Sequence, residues 1–142
     1  MRDLTRDYRK TPQIRDLAKR LTIRCPGKAF RCELEQLHKW VSQAIKYTRD
    51  VADVETVQTP DKTLADRSGD CDDKCVLLAS LLQSIGHPVR FVAVAFSPGG
   101  PFSHVFIESP LGGYWRACET TEPTWPLGAR PKGIKRRMFV KV

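Results

Sequence analysis

The sequence predicts an α+β fold, with helices first and an antiparallel sheet after them. Two observations predict it. Apolar residues recur every three or four positions between residues 14 and 47, the period of a helix, and a long apolar run follows up to residue 85. From residue 89 the pattern changes to the alternation of strands, broken by the turn formers "SPGGP" and "PLGG". A run of helices followed by a run of strands is the pattern of an α+β domain.

Each element has its own justification. Thr11-Pro12 has the form of an N-cap with proline at the first helical position. The helix it opens runs to about Ile23, with Ile14, Leu17, Ala18 and Leu21 on one face. "RCPGK" (24–28) ends it, because Pro26 and Gly27 are turn residues. From Ala29 to Arg49, Phe30, Leu34, Leu37, Trp40, Val41, Ala44, Ile45 and Tyr47 mark a long amphipathic helix. That reading puts Trp40 and Tyr47 in the core and His38 on the surface. Residues 50–68 are polar and lack a sustained period, so they read as a loop or lid with a brief strand.

A second long helix starts near Cys71. The run from Val76 to Ile85 makes it apolar almost all round, as befits a buried central helix. Gly86 fits its C-cap, and Pro88 confirms the stop. Then "VRFVAVAF" (89–96) reads as a buried strand. "FSHVFIES" (102–109) and "YWRACET" (114–120) read as a hairpin, and "RRMFVKV" (136–142) as a last strand.

The 142 residues suit one domain, 1–142, with basic flanking segments at 1–28 and 129–142. A chain of this length buries a real core, so neither a disulfide nor a metal is needed for stability. No stretch approaches the ~18 apolar residues of a membrane span, and the N-terminus has no signal-peptide centre. The cytoplasm is the expected location, although a virion protein would look the same. The net charge of +8 is uneven. Residues 1–31 carry ten Lys/Arg against three Asp, 32–120 eight against twelve acids, and 121–142 six against one. Basic ends suit nucleic acid, an acidic partner or a larger assembly, and equally a solvated surface. With no zinc-finger spacing and no helix-turn-helix, a DNA-binding reading rests on charge alone.

Five cysteines at irregular spacing, without a signal peptide, argue against a disulfide framework. No C-x2-C pair suggests zinc. The thiols therefore read as buried, or as one reactive thiol among buried ones. Cys71 is the candidate. It sits at a helix start, where unpaired N–H groups favour a negative charge, after a glycine that permits a tight turn. Asp70, Asp72 and Asp73 suit the helix start as caps but oppose a thiolate, so an imidazolium partner is needed. His38 and His87 read as surface and turn residues. His104 opens a strand. With Leu111 and Gly112 at the hairpin tip, His104 faces Glu119, Phe106 faces Ala117 and Glu108 faces Trp115. A slip of one residue would separate His104 and Glu119 onto opposite faces. Thiol, base and orienting carboxylate are the parts of covalent acyl transfer. Cys75 and Cys118 read as packing.

"GDCDDKCVLLASLLQSIGHPVRFVAVAF", then "HVFIE" and "YWRACETT", together resemble the transglutaminase-like cysteine peptidase superfamily, in particular its short bacteriophage and prophage forms. The resemblance covers about residues 56 to 131. It implies a papain-like α+β core, with Cys71 as nucleophile, His104 as base and Glu119 as acid. The family commonly has Asp at the acid, often before Pro-Thr, which makes Glu122-Pro123-Thr124 a competing candidate. The Cys71 N–H is the natural oxyanion donor, with Gln58 and Asp72 in supporting positions. No metal or organic cofactor is implied, and the expected substrate is a protein or peptide. Water as acceptor would give a peptidase or amidase, and a lysine amine a cross-linking transglutaminase. The rival reading is a phage virion or assembly protein that keeps the fold as a scaffold, docked through its basic ends.

Overall fold

The computed structural model describes residues 1–49 and 56–142. Chain order gives helices α1 (Arg2–Tyr8), α2 (Pro12–Leu21) and α3 (Phe30–Ala44), strand β1 (Lys46–Tyr47), helix α4 (Pro60–Asp66), strand β2 (Ser68–Gly69) and helix α5 (Cys71–Ser84). Strands β3 (Arg90–Ala95), β4 (His104–Leu111), β5 (Tyr114–Cys118) and β6 (Arg136–Lys141) follow. Helices in the first half and an antiparallel sheet in the second make this the expected α+β arrangement.

Helix α5 is the hub. Its run from Asp73 to Leu82 is buried on every side, because α1, α2, α3 and α4 pack round it and β4 lies against it. Ile14, Leu17 and Ala18 of α2 and Leu34, Leu37 and Val41 of α3 join the α5 leucines in one apolar cluster. Burial of that apolar surface is the main force holding the helices to the sheet. Helix α2 is the amphipathic helix expected, with Pro12 in its first turn.

The sheet has the order β5-β4-β3-β6, antiparallel at each pairing. One face, with Phe91, Val105 and Ile107, joins the α5 cluster. Val92, Val94, Phe106 and Ala117 form a smaller cluster with Ile134. Arg90 lies over the rings of Trp115 and Phe139, each at 4.2 Å, and pairs with the buried Glu108 at 2.7 Å. Arg130 reaches the same carboxylate at 2.9 Å. The basic C-terminal stretch is thus part of the sheet and its fastening.

The structure corrects several expectations. Residues 60–66 form a helix rather than a loop, entered by Thr59-Pro60 just as α2 is entered by Thr11-Pro12. The remainder of the expected lid, 50–55, lies outside the described residues. Tyr47 is exposed and Trp40 only half-buried, with the Arg67 guanidinium 5.3 Å over its ring. Helix α3 ends at Ala44, so Tyr47 falls in β1 and leaves the helical face. His38 is buried, not exposed.

Two cysteines also depart from expectation. Cys25 and Cys32 form a disulfide, with Cα atoms 5.7 Å apart. The "CPGK" turn folds the chain back between α2 and α3, and this brings the two sulfurs within bonding geometry. A local turn therefore makes a bridge that neither cysteine count nor spacing announced. Disulfides persist in oxidising surroundings, so the cysteines lend no support to a reducing compartment. Among the described residues, no helix is long and apolar enough to cross a membrane.

Candidate active site

The start of α5 is built to hold Cys71 still. Asp70 is the N-cap, and its Oδ1 accepts from the Asp73 N–H at 3.0 Å. Asp73 returns the bond, accepting from the Asp70 N–H at Oδ2, also at 3.0 Å. This reciprocal capping box satisfies two helix-end donors at once. Asp73 Oδ1 also accepts from the Gln58 N–H at 2.7 Å, tying the preceding segment to the helix start. Gly69 lies so close that a Cβ there would sit 2.7 Å from the Asp73 Cβ. Cys71, one residue past the cap, is half-buried, whereas Cys75 and Cys118 are buried. Burial is the leading cause that pushes the Cys75 thiol well above its ordinary value and Cys118 up to about 12. The Cys71 Sγ lies 3.9 Å from Asp72 Oδ1.

His104 stands at the first residue of β4, at the margin of the sheet. Its Nε2 meets Glu119 Oε2 at 2.6 Å, which leaves Nδ1 as the nitrogen to face a thiol. Burial is the largest influence on the ring and opposes its charge. Hydrogen bonds and opposite charges from Cys71 and Glu119 outweigh it and raise the imidazole to about 10. Glu119 is buried. Desolvation is again the largest influence and pushes its carboxyl up, but His104 and the N–H and O–H of Thr121 hold it below its usual value. Those Thr121 bonds, 3.1 and 2.9 Å long, occupy Oε1 and leave Oε2 to the imidazole.

The His104–Glu119 contact forms in a register different from the one expected. Glu108 pairs with Ala117 and Ile107 with Cys118, so the tip is Gly112-Gly113. Both glycines have positive φ, 64° and 84°, which a two-residue hairpin turn of type I′ requires at both central positions. Relative to the expected pairing the strands are displaced by two residues. An even displacement keeps every side chain on its face, so His104 and Glu119 become diagonal neighbours instead of opposed ones.

The family model of the transglutaminase-like superfamily matches residues 15–120, a span that includes Cys71, His104 and Glu119. The chain belongs to that superfamily. Solved structures repeat the transglutaminase-like fold. A candidate protease from Parabacteroides distasonis has a TM-score of 0.67 at 13% identity over 87% of this chain and 26% of its own. A candidate cysteine protease from Cytophaga hutchinsonii gives 0.63 at 16%, over 95% of this chain and 52% of its own. LapG of Legionella pneumophila gives 0.64 at 17%, over 94% and 80%. The chain therefore spans about a quarter and about half of the first two proteins. Comparison with curated proteins finds no match.

In this transglutaminase-like chain, two open cavities meet at His104. One, of about 370 Å³, is lined by Cys71, Asp70, Asp72, Phe102 and Ala93. The other, of about 430 Å³, is lined by Glu119, Phe96, Glu122, Trp125 and Pro131. Tyr47, Arg49, Ser103 and His104 border both. Asp72, expected as support, lies in the first cavity beside the thiol. Gln58 does not line either one. Its backbone is held by Asp73, and its side-chain oxygen accepts from Thr63 at 3.3 Å. Glu122, the competing acid, is exposed on the wall of the second cavity, and it is Glu119 that bonds to His104. Among the described residues, no cluster of His, Cys, Asp and Glu could hold a metal ion.

The sequence reading missed one residue beside this constellation. His38 Nε2 lies 2.6 Å from the main-chain oxygen of Glu119. A signal for it existed in α3. Leu34, Leu37, His38, Val41 and Ser42 are all buried, at the three-and-four spacing of one helical face. His38 therefore sits within the apolar stripe, as Ser42 does.

Proposed function

We propose that this chain is a thiol-dependent acyl-transfer enzyme acting on an amide or peptide bond, with Cys71, His104 and Glu119 as its catalytic residues and 1–142 as one catalytic domain. The observation that carries the reading is the short His104–Glu119 bond beside the one half-buried thiol, at the edge of an open cleft. Superfamily membership supports it.

The chemistry follows from the parts. With its imidazole raised to about 10, His104 holds the Cys71 proton at Nδ1 as one half of an ion pair, while Glu119 orients the ring and stabilises the imidazolium. The thiolate attacks the substrate carbonyl, a C–S bond forms, and the carbonyl π pair moves to oxygen. The Cys71 backbone N–H, at the positive end of α5, is the donor we assign to that oxyanion. Collapse breaks the C–N bond, and His104 returns its proton to the leaving amine. Water or a second amine then gives a proton to His104 and displaces Cys71. The open groove on both sides of His104 suits a polypeptide. A bacteriophage origin, and a scaffold role in a virion, rest on the sequence resemblance and the basic ends. The retained His104–Glu119 pair favours catalysis.

Iodoacetamide labelling followed by peptide mapping tests this. Cys71 is expected to react near neutral pH, with Cys75 and Cys118 protected. His104→Ala should slow Cys71 labelling and lower turnover of any substrate by roughly 10²–10⁴-fold, the usual worth of a positioned acid–base group. Equal, sluggish labelling of all three thiols, unaffected by His104→Ala, would sink the reading.

A further inference from the structure

We propose that His38 is a positioning residue for this site, fixing the main chain of Glu119 so that its carboxylate meets His104. The proposal rests on the catalytic reading above and adds a residue that touches neither substrate nor thiol. Three contacts define where Glu119 stands. Thr121 holds Oε1, His104 meets Oε2, and His38 holds the backbone oxygen from a helix 81 residues away in sequence. The first two act on the side chain. The third fixes the point from which that side chain swings.

The bond's direction is set by chemistry. A carbonyl oxygen only accepts, so Nε2 of His38 carries the hydrogen and donates it. Burial, the largest influence, lowers His38 below its ordinary value. The Glu119 carbonyl and charge offset this in part, and Lys74 adds to it. His38 is thus a neutral donor at neutral pH. Lys74 of α5 completes the frame. It is fully buried and donates to Ile45 O at 2.7 Å and Ser42 O at 3.5 Å, at the end of the helix that carries His38. The titratable groups around this frame are Lys74 and Cys75 from α5, His104 from β4, and Glu119 itself. Helix α3 is thereby clamped at one place to the nucleophile's helix and at another to the acid. The carboxylate must reach its imidazole diagonally, so a free-swinging main chain at residue 119 would lose the 2.6 Å contact.

The chain has three histidines, so their ring signals can be followed individually by NMR through a pH titration. The comparison is wild type, His38→Gln and His38→Leu. Glutamine places an amide N–H at nearly the reach of Nε2, and leucine has no donor. In wild type and in His38→Gln, His104 is expected to titrate far above an ordinary imidazole. In His38→Leu it should move down toward the ordinary value. Cys71 labelling should fall by up to about 10²-fold, the cost of a small misplacement, and recover in His38→Gln. A His104 titration that is unchanged in a folded His38→Leu protein overturns the proposal. If that variant does not fold, His38→Asn takes its place, because its shorter amide stops short of the carbonyl, and an unchanged His104 there overturns the proposal equally. An inert Cys71 in wild type would defeat the enzymatic reading while leaving the His104 titration to judge His38.

Discussion

Glu119 is where a single methylene matters. Diagonal partners on neighbouring strands stand roughly 7–8 Å apart, a span that suits glutamate better than the shorter aspartate of the family pattern. Glu119→Asp is therefore expected to lower turnover and Cys71 labelling even though it restores the commoner residue. Glu119→Gln keeps the reach and loses the charge, so the His104 titration should drop from about 10 toward the ordinary range. A Glu119→Asp protein as active as wild type would show that the reach is not limiting. The pair also sets a pH window for stability. A raised imidazole stabilises the fold fully below its unfolded value, and the gain is lost as pH rises toward about 10. A lowered carboxyl stabilises above its unfolded value, and the gain is lost as pH falls through its folded one. The stability difference between wild type and Glu119→Gln should be largest between about pH 4.5 and 6.5, shrinking on both sides when denaturation midpoints are compared. Cys71, His104 and Glu119 were visible as candidates because each is tied to a local cue: a helix start, a strand start and a hairpin partner, the last expected two residues out of its true register. His38 was not, because its partner lies on a segment that only the fold brings near, and a histidine inside an apolar stripe resembles a stripe interrupted.

At the scale of elements, α5 and its entry carry the most specific packing. The capping box, the Gln58 tie and Gly69 all converge on Asp73. Gly69→Ala should destabilise the protein by about 1–3 kcal/mol, because a new Cβ must displace a side chain that accepts a backbone hydrogen bond at each carboxylate oxygen. It should also slow Cys71 labelling, whereas Gly27→Ala, with nothing near its added Cβ, serves as a control for handling a glycine. Thermal unfolding and labelling rates measured side by side check both. A Gly69→Ala protein with wild-type Tm and wild-type labelling would refute the convergence on Asp73. Element by element, the sequence pattern shows α2, α5 and the sheet strands clearly, since each follows its period over several residues. The two-residue strands β1 and β2 have no period to read. Helix α4 is too short to show one, although Thr59-Pro60 marks its start as Thr11-Pro12 marks α2. The hairpin tip was misplaced because "PLGG" offers two possible turns, and only the pair of positive-φ glycines selects the second.

Across the whole molecule, the helices form a cup round α5 and the sheet closes it, with the candidate site where the helix start meets the sheet margin. The Cys25–Cys32 bridge ties the turn after α2 to the first turn of α3, and neither cysteine lines the cavities that meet at His104. Removing it by Cys25→Ser should cost about 2–3 kcal/mol, visible as a lower denaturant midpoint, with the His104 titration unchanged. A midpoint equal to wild type would show that the bridge adds nothing to the folded state. The overall class was readable because the change of period at residue 89 is a property of long stretches. The bridge was not, because two sulfurs seven residues apart meet only if the turn between them folds back.

That bridge has a practical consequence for anyone handling the protein. Thiol enzymes are customarily kept in a reducing buffer to protect the nucleophile. Here the same reagent would open the turn and release two further sulfurs, both of them less buried than Cys75 and Cys118. A label count near one per chain is expected in non-reducing buffer, and near three once the bridge is open. The reductant chosen to preserve one cysteine would thus change the number of cysteines being measured.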